Sequence, residues 1–330
     1  MRHFLEKILL IGILIFLVFF GVRLFFLDFT PDHTSWGVSF DPYYAEDLGL
    51  DPQKIYVDIL NDLKVDHIRL TAVWNKIETQ KDVYDWTTLD WQVKSAKQSG
   101  AKILLTIGRK LPRWPECYQP DWWSDLSKED REKELLEIIR LAVERYRDYD
   151  NVIAWQVENE PLVGWFGVCP APDKTELKKE VALVRSLDSR QVVVSDSGEL
   201  SSWIPTAKIA DVLGTTMYRV VWNEKTGFWR WPIPASYYYY KALAIKKITG
   251  VKDVIVTELQ AEPWSNVPIQ QYPLSQQYKS MDQEQFKSNL QYVRRAGFDT
   301  VYLWGAEWWY WMKEKNSVDG YWQEAKKLWE

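Results

Sequence analysis

The run VIAWQVENEP, residues 152–161, is a short apolar segment that closes on carboxylates. From Val152 to Val157 it is apolar except at Gln156, and polar residues bound it on both sides. A run of that length suits a strand buried in a parallel sheet better than a helix. Before it lies KELLEIIRLAVERYRDY (133–149), with apolar residues at three- and four-residue spacing, and Ser127 opens it with a capping-box-like S-K-E-D.

This helix-then-strand unit repeats along the chain. SWGVSF (35–40), HIRLTAVW (67–74), KILLTIG (102–108), QVVVSD (191–196), DVLGTTMY (211–218), DVIVTEL (253–259) and TVYLWG (300–305) read as further strands. Gly100, Gly250 and Gly297 each end a helical stretch just ahead of a strand. Counting 152–159, the strands number eight, so residues 35–330 predict one α/β domain, a (β/α)8 TIM barrel. An open doubly wound sheet would want a glycine-rich turn after its first strand, where this chain has SFDPYY (39–44).

Composition narrows the function. A formal charge of −5 and the absence of a long Lys/Arg run argue against a nucleic-acid partner. With 3 His, no H-E-x-x-H, no C-x-x-C and no phosphate-binding glycine loop, neither a metal nor a cofactor is expected. The 20 Trp and 18 Tyr suit either a large core or a groove that packs ring faces on sugars.

Residues 8–27, ILLIGILIFLVFFGVRLFFL, are apolar except for Arg23. As a helix the run reaches about 30 Å, the thickness of a bilayer core. No A-x-A-like site follows, so an uncleaved transmembrane anchor is expected. Arg2 and Lys7 place the N-terminus on the cytoplasmic side. Residues 1–34 then comprise stub, anchor and short stalk, and a single-pass chain at the cell membrane holds its barrel, expected to be a monomer, on the extracytoplasmic side.

In a barrel of this kind the chemistry sits at the C-terminal strand ends. The fourth strand leaves Asn159 and Glu160 there, and the seventh leaves Glu258. One carboxylate alone could be a barrel-mouth ion pair. Two across one mouth supply what glycosidic cleavage requires: an acid for the leaving oxygen and a carboxylate for the sugar cation.

WQVENEP on the fourth strand, TEL on the seventh and an aromatic closing the eighth resemble the clan A glycoside hydrolases, family 5 (the cellulase family) most closely. The resemblance spans residues 35–330. It implies a retaining O-glycosyl hydrolase acting on a β-linked oligo- or polysaccharide, with Glu160 as acid/base and Glu258 as nucleophile. It further implies that Arg69 lies under the nucleophile, Asn159 bonds the sugar 2-hydroxyl, Tyr218 bonds Glu258, and Trp304 is the platform at the cleavage point. Two histidines frequent in that family are replaced here, by Arg109 or Lys110 after the third strand and by Thr216 on the sixth.

Trp74, Trp114, Trp165, Trp203, Trp222, Trp264 and Trp304 all fall at or after proposed strand ends, which favours the groove; Trp74 and Trp264 are substrate-contact candidates. Among competing carboxylates, Glu158 reads as a buried partner of a basic group and Glu262 as a loop residue. Glu307 reads as an exposed loop charge or a sugar-hydroxyl contact. Cys117 and Cys169 fall in neighbouring loops, as one disulfide outside the cytoplasm or as two separate thiols. Transglycosylation on the same site and a non-catalytic carbohydrate-binding barrel are the alternative functions.

Overall fold

The computed structural model describes residues 12–13, 21, 23 and 27–330. The expected anchor, 8–27, therefore lies almost wholly outside the described residues. Among the described residues no helix is long and apolar enough to cross a membrane.

Among the described residues ten strands form in chain order: β1 (Ser35–Ser39), β2 (His67–Thr71), β3 (Lys102–Ile107), β4 (Val152–Val157), β5 (Gln191–Asp196), β6 (Val212–Met217), β7 (Val220–Asn223), β8 (Gly227–Arg230), β9 (Asp253–Gln260) and β10 (Thr300–Trp304). Eight of them close in the order β1-β10-β9-β6-β5-β4-β3-β2, every pair parallel. The eight proposed strands are the barrel strands, with ends shifted by up to a few residues. The largest shift is in β2, which stops at Thr71; Trp74 opens a short helix, Trp74–Ile77. The hairpin β7–β8 lies outside the barrel and has no counterpart in the sequence reading.

Local chemistry accounts for the helix ends. Ser127 caps Lys128–Tyr146 by accepting the Asp130 N–H, and Asp51 and Asp173 cap their helices in the same way. Leu104, Val193, Val212 and Tyr302 form a small apolar cluster of their own, with Ala154 and Ile255 against it. Nearer the C-terminal strand ends, Arg69, Gln156, Ser195 and Thr216 are buried and polar. Hydrocarbon thus plugs one end of the barrel and hydrogen-bonding groups line the other.

Candidate active site

The polar end gathers around the last residues of β4. Beyond Val157 the backbone leaves the strand: Glu158 and Glu160 both take left-handed conformations, with φ of 59° and 46°. Such conformations cost a non-glycine residue about 1–3 kcal/mol each and persist only where surrounding contacts impose them. Glu158 turns away and accepts the Arg109 N–H at 2.7 Å. Gly108 makes room for it, since a Cβ there would lie 2.9 Å from Glu158 Oε1. Glu160 is held through its backbone: its N–H donates to Ser195 Oγ at 2.9 Å, and its carbonyl accepts Lys110 Nζ at 2.9 Å. Lys110 thus fixes the glutamate loop.

Asn159, between them, accepts from Arg69 Nη2 at 2.8 Å and Ser195 Oγ at 3.0 Å through its carbonyl oxygen. Its amide nitrogen is left with no acceptor among the described residues. Arg69 is fully buried and also donates through Nε to Gln156 at 2.8 Å and through Nη1 to Glu258 Oε1 at 2.8 Å. The other oxygen of Glu258 accepts the Tyr218 hydroxyl at 2.8 Å. Glu199 sets Tyr218 by accepting its backbone N–H at 2.8 Å and the Tyr238 hydroxyl at 2.7 Å.

Glu258 sits on a β-bulge. Against β6 the register runs Thr215↔Val256 and then Thr216↔Glu258, and against β10 it runs Val301↔Val256 and then Leu303↔Leu259. Strand β9 therefore carries one extra residue at Thr257–Glu258 relative to both neighbours. Bulges of this kind re-aim a side chain next to active sites, and here the bulge sets Glu258 beside Thr216.

Thr216 in turn donates to Glu160 Oε1 at 3.0 Å, the one side-chain bond to that carboxyl among the described residues. Burial, then the charges of Glu258 and Glu116, push the Glu160 carboxyl well above the ordinary range, against the opposing pull of Lys110 and Thr216. Because the Thr216 bond favours the ionised form, Thr216→Val raises this pKa further. Were Glu160 the acid of a hydrolysis, it would stay protonated to higher pH in the variant, and the alkaline limb of a kcat/KM profile is expected to move upward.

Across the mouth lies a feature with no sequence signal. Arg113, on the loop after β3, pairs with Glu262, and with Glu307 at 2.9 Å. Its guanidinium lies 3.6 Å from the Tyr44 ring centre and 4.0 Å from that of Trp304. One face of the proposed sugar platform is thus covered by a cation. Glu307 is neither exposed nor in a loop: it is 1% exposed in the first turn of the helix Ala306–Asn316. Glu262, likewise, is buried against Arg113.

Cys117 and Cys169 are joined by a disulfide that ties the Arg113 loop to the loop after Glu160, across a separation of 52 residues. Closing a loop of that length predicts about 4 kcal/mol of stabilisation. Replacing both cysteines by serine is expected to lower the chemical-denaturation midpoint by a corresponding amount.

The tryptophans divide. Trp74 and Trp203 are fully buried, Trp74 donating to Glu78 at 2.7 Å, and neither presents a face to the mouth. Trp264 is half-buried and meets Tyr218 edge to face at 5.4 Å, one ring away from Glu258. Trp114 and Trp165 are exposed on the rim. The structure thus brings Arg69, Asn159, Glu160, Tyr218, Glu258, Trp264 and Trp304 to one end of the barrel and leaves Trp74 out. Gln156, Ser195 and Arg113 were not singled out from the sequence; a polar residue inside an apolar strand run was the available signal for the first two.

No family model and no curated protein matches the chain. Solved structures do match its fold. A GH5_18 protein from Streptomyces cattleya, in complex with GlcNAc, superposes with a TM-score of 0.58 at 14% identity, over 82% of this chain and 70% of that one. Xylanase 10B from Thermotoga petrophila RKU-1, in complex with xylobiose, gives 0.53 at 13% identity, over 82% and 81%. The beta-galactosidase of the psychrophilic Marinomonas ef1 gives 0.55 at 14% identity, over 82% of this chain and 54% of that one. Likeness at these identities establishes the barrel, and it is a barrel that glycoside hydrolases use.

Proposed function

We propose that this chain is a retaining glycosidase that cleaves a β-linked glycan by double displacement, with Glu258 as nucleophile and Glu160 as acid/base. The observation that carries the proposal is the contrast between the two carboxylates. Glu258 receives one donor on each oxygen, a guanidinium and a phenol. Glu160 has a single hydroxyl, and its proton is retained by burial and by the charge of Glu258. Opposed environments of this kind separate a nucleophile from an acid.

In the first step Glu258 attacks the anomeric carbon while Glu160 gives its proton to the departing oxygen, leaving a glycosyl ester on Glu258. In the second, Glu160, now a base, takes a proton from water as that water displaces Glu258. The carboxylate is released and the acid is restored. The Asn159 amide nitrogen is available to the sugar 2-hydroxyl, and Trp264 offers a ring beside the nucleophile. The substrate is taken to be an oligo- or polysaccharide, in keeping with the GlcNAc and xylobiose bound by two of the fold's neighbours. The same reading holds the barrel at the outer face of a membrane through residues 8–27, where a disulfide such as Cys117–Cys169 persists.

A panel of aryl β-glycosides and polysaccharides tests the proposal, run with the native chain beside Glu258→Gln and Glu160→Ala. Hydrolysis of at least one β-glycoside that both substitutions abolish is the expected result. Turnover untouched by either substitution refutes the assignment.

A further inference from the structure

The helix Ala235–Thr249, between β8 and β9, turns an unusual face outward. Its exposed positions are Tyr237, Tyr240, Leu243, Ala244, Lys247 and Ile248, with Leu243 45% and Ile248 61% exposed. The stripe is apolar or aromatic at all but one position and holds no acidic residue. The neighbouring helix Gln283–Arg295 exposes only polar and charged side chains, Glu284, Lys287, Gln291 and Arg294 among them. A soluble surface helix carries polar residues on the face opposite the core, so among the described residues the first stripe lacks a partner that the second does not need.

The chain itself indicates the partner. Phe29 lies two residues after the apolar run 8–27. Its ring stacks on Tyr239 at 3.7 Å and 4°, and meets Tyr240 edge-on at 5.5 Å. Its N–H donates to the Arg295 carbonyl at 3.2 Å. The packing is close, since a Cβ on Gly297 would lie 3.0 Å from the Phe29 carbonyl oxygen. The point where the apolar run reaches the barrel is therefore fixed beside the helix with the apolar stripe. Tyrosines with aliphatic residues and a lysine are the composition of a surface at headgroup depth, where rings sit half in hydrocarbon and lysine meets anionic lipid.

We propose that the exposed face of the helix Ala235–Thr249 rests on the bilayer that holds residues 8–27, so that the barrel is docked on the membrane rather than hung from a free stalk. Residues 27–34 lead into β1 at the strand-start end of the barrel, and Glu160 and Glu258 lie at the opposite end. That helix runs along the flank of the barrel and packs on β9, so docking on its outer face leaves the mouth uncovered, open to a glycan beside the bilayer. The proposal rests on the membrane reading above and is independent of the glycosidase reading.

Both native cysteines are held in the disulfide, so one introduced cysteine takes a fluorescent label alone. The full-length chain is reconstituted in phosphatidylcholine–phosphatidylglycerol vesicles carrying headgroup-level nitroxide lipids. It is labelled either at Leu243→Cys or at Lys94→Cys, on the helix Thr87–Ser99 across the barrel. The expected result is loss of fluorescence at position 243 and none at position 94. Two outcomes overturn the docking: equal quenching at both positions, or a label at 243 shielded from lipid-borne and aqueous quenchers alike, the sign of a second copy on that face. A chain that does not float with the vesicles overturns the tether and the docking together. Hydrolysis of an aryl glycoside in the same sample reports separately on the catalytic reading.

Discussion

Glu258→Gln is expected to lower kcat roughly ten-thousand-fold on any glycoside the native chain cleaves. An amide of the same shape keeps one oxygen to accept from Arg69 and turns its NH2 group, a donor, toward the Tyr218 oxygen, but it offers no anionic oxygen to the anomeric carbon, and no glycosyl ester forms. The substitution also leaves the Arg69 guanidinium buried without its counter-charge. It keeps neutral acceptors in Gln156, the Thr257 carbonyl and Asn159. Losing one member of a buried ion pair costs about 3–5 kcal/mol, so the variant should unfold at a lower temperature while remaining folded at the assay temperature. Circular dichroism alongside the kinetic measurement separates the two effects: native-like ellipticity with turnover lost supports the chemical role, and native-like ellipticity with turnover retained removes Glu258 from the mechanism.

Glu160→Ala is expected to lower turnover by about 10²–10⁴-fold, the range for losing a positioned acid and base. The loss should depend on the leaving group. An activated phenolate departs without a proton, so the first step survives on such a substrate and the glycosyl-enzyme builds up, having lost the base that activates water. Azide needs no base and should restore turnover, releasing a β-glycosyl azide. The pH profile carries an independent signature. In the proposed mechanism Glu160 acts as an acid in its protonated form, and its pKa is raised, so activity is expected to be full below that pKa and to fall as pH rises through it. With Glu160 removed that alkaline limb disappears, and a limb that persists belongs to another group.

The barrel and the two glutamates were legible in the sequence because each rests on a local pattern. Apolar runs ending in polar residues mark the strands, and N-E-P and T-E-L place Glu160 and Glu258 at two of their ends. The hairpin β7–β8 escaped because VVWNEKTGFWR alternates weakly and follows β6 after two residues, so it reads as loop. Trp74 was read as a strand end because an apolar run does not show where pairing stops; its ring packs in the core instead. Glu307 was misplaced for a related reason. The helix AEWWYWMKEKN is buried at every position from Ala306 to Met312, so it has no amphipathic face to reveal it. Arg113 could not have been found. Its place depends on three residues far away in the chain, Tyr44, Glu262 and Glu307, and nothing periodic links them.

The stereochemistry of cleavage separates double displacement from direct attack by water. Proton NMR of the first-formed sugar, recorded before mutarotation, reads it on whichever β-glycoside is hydrolysed. Double displacement through Glu258 predicts the β-anomer. An α-anomer would mean direct displacement by water and would contradict the assignment of Glu258 as nucleophile.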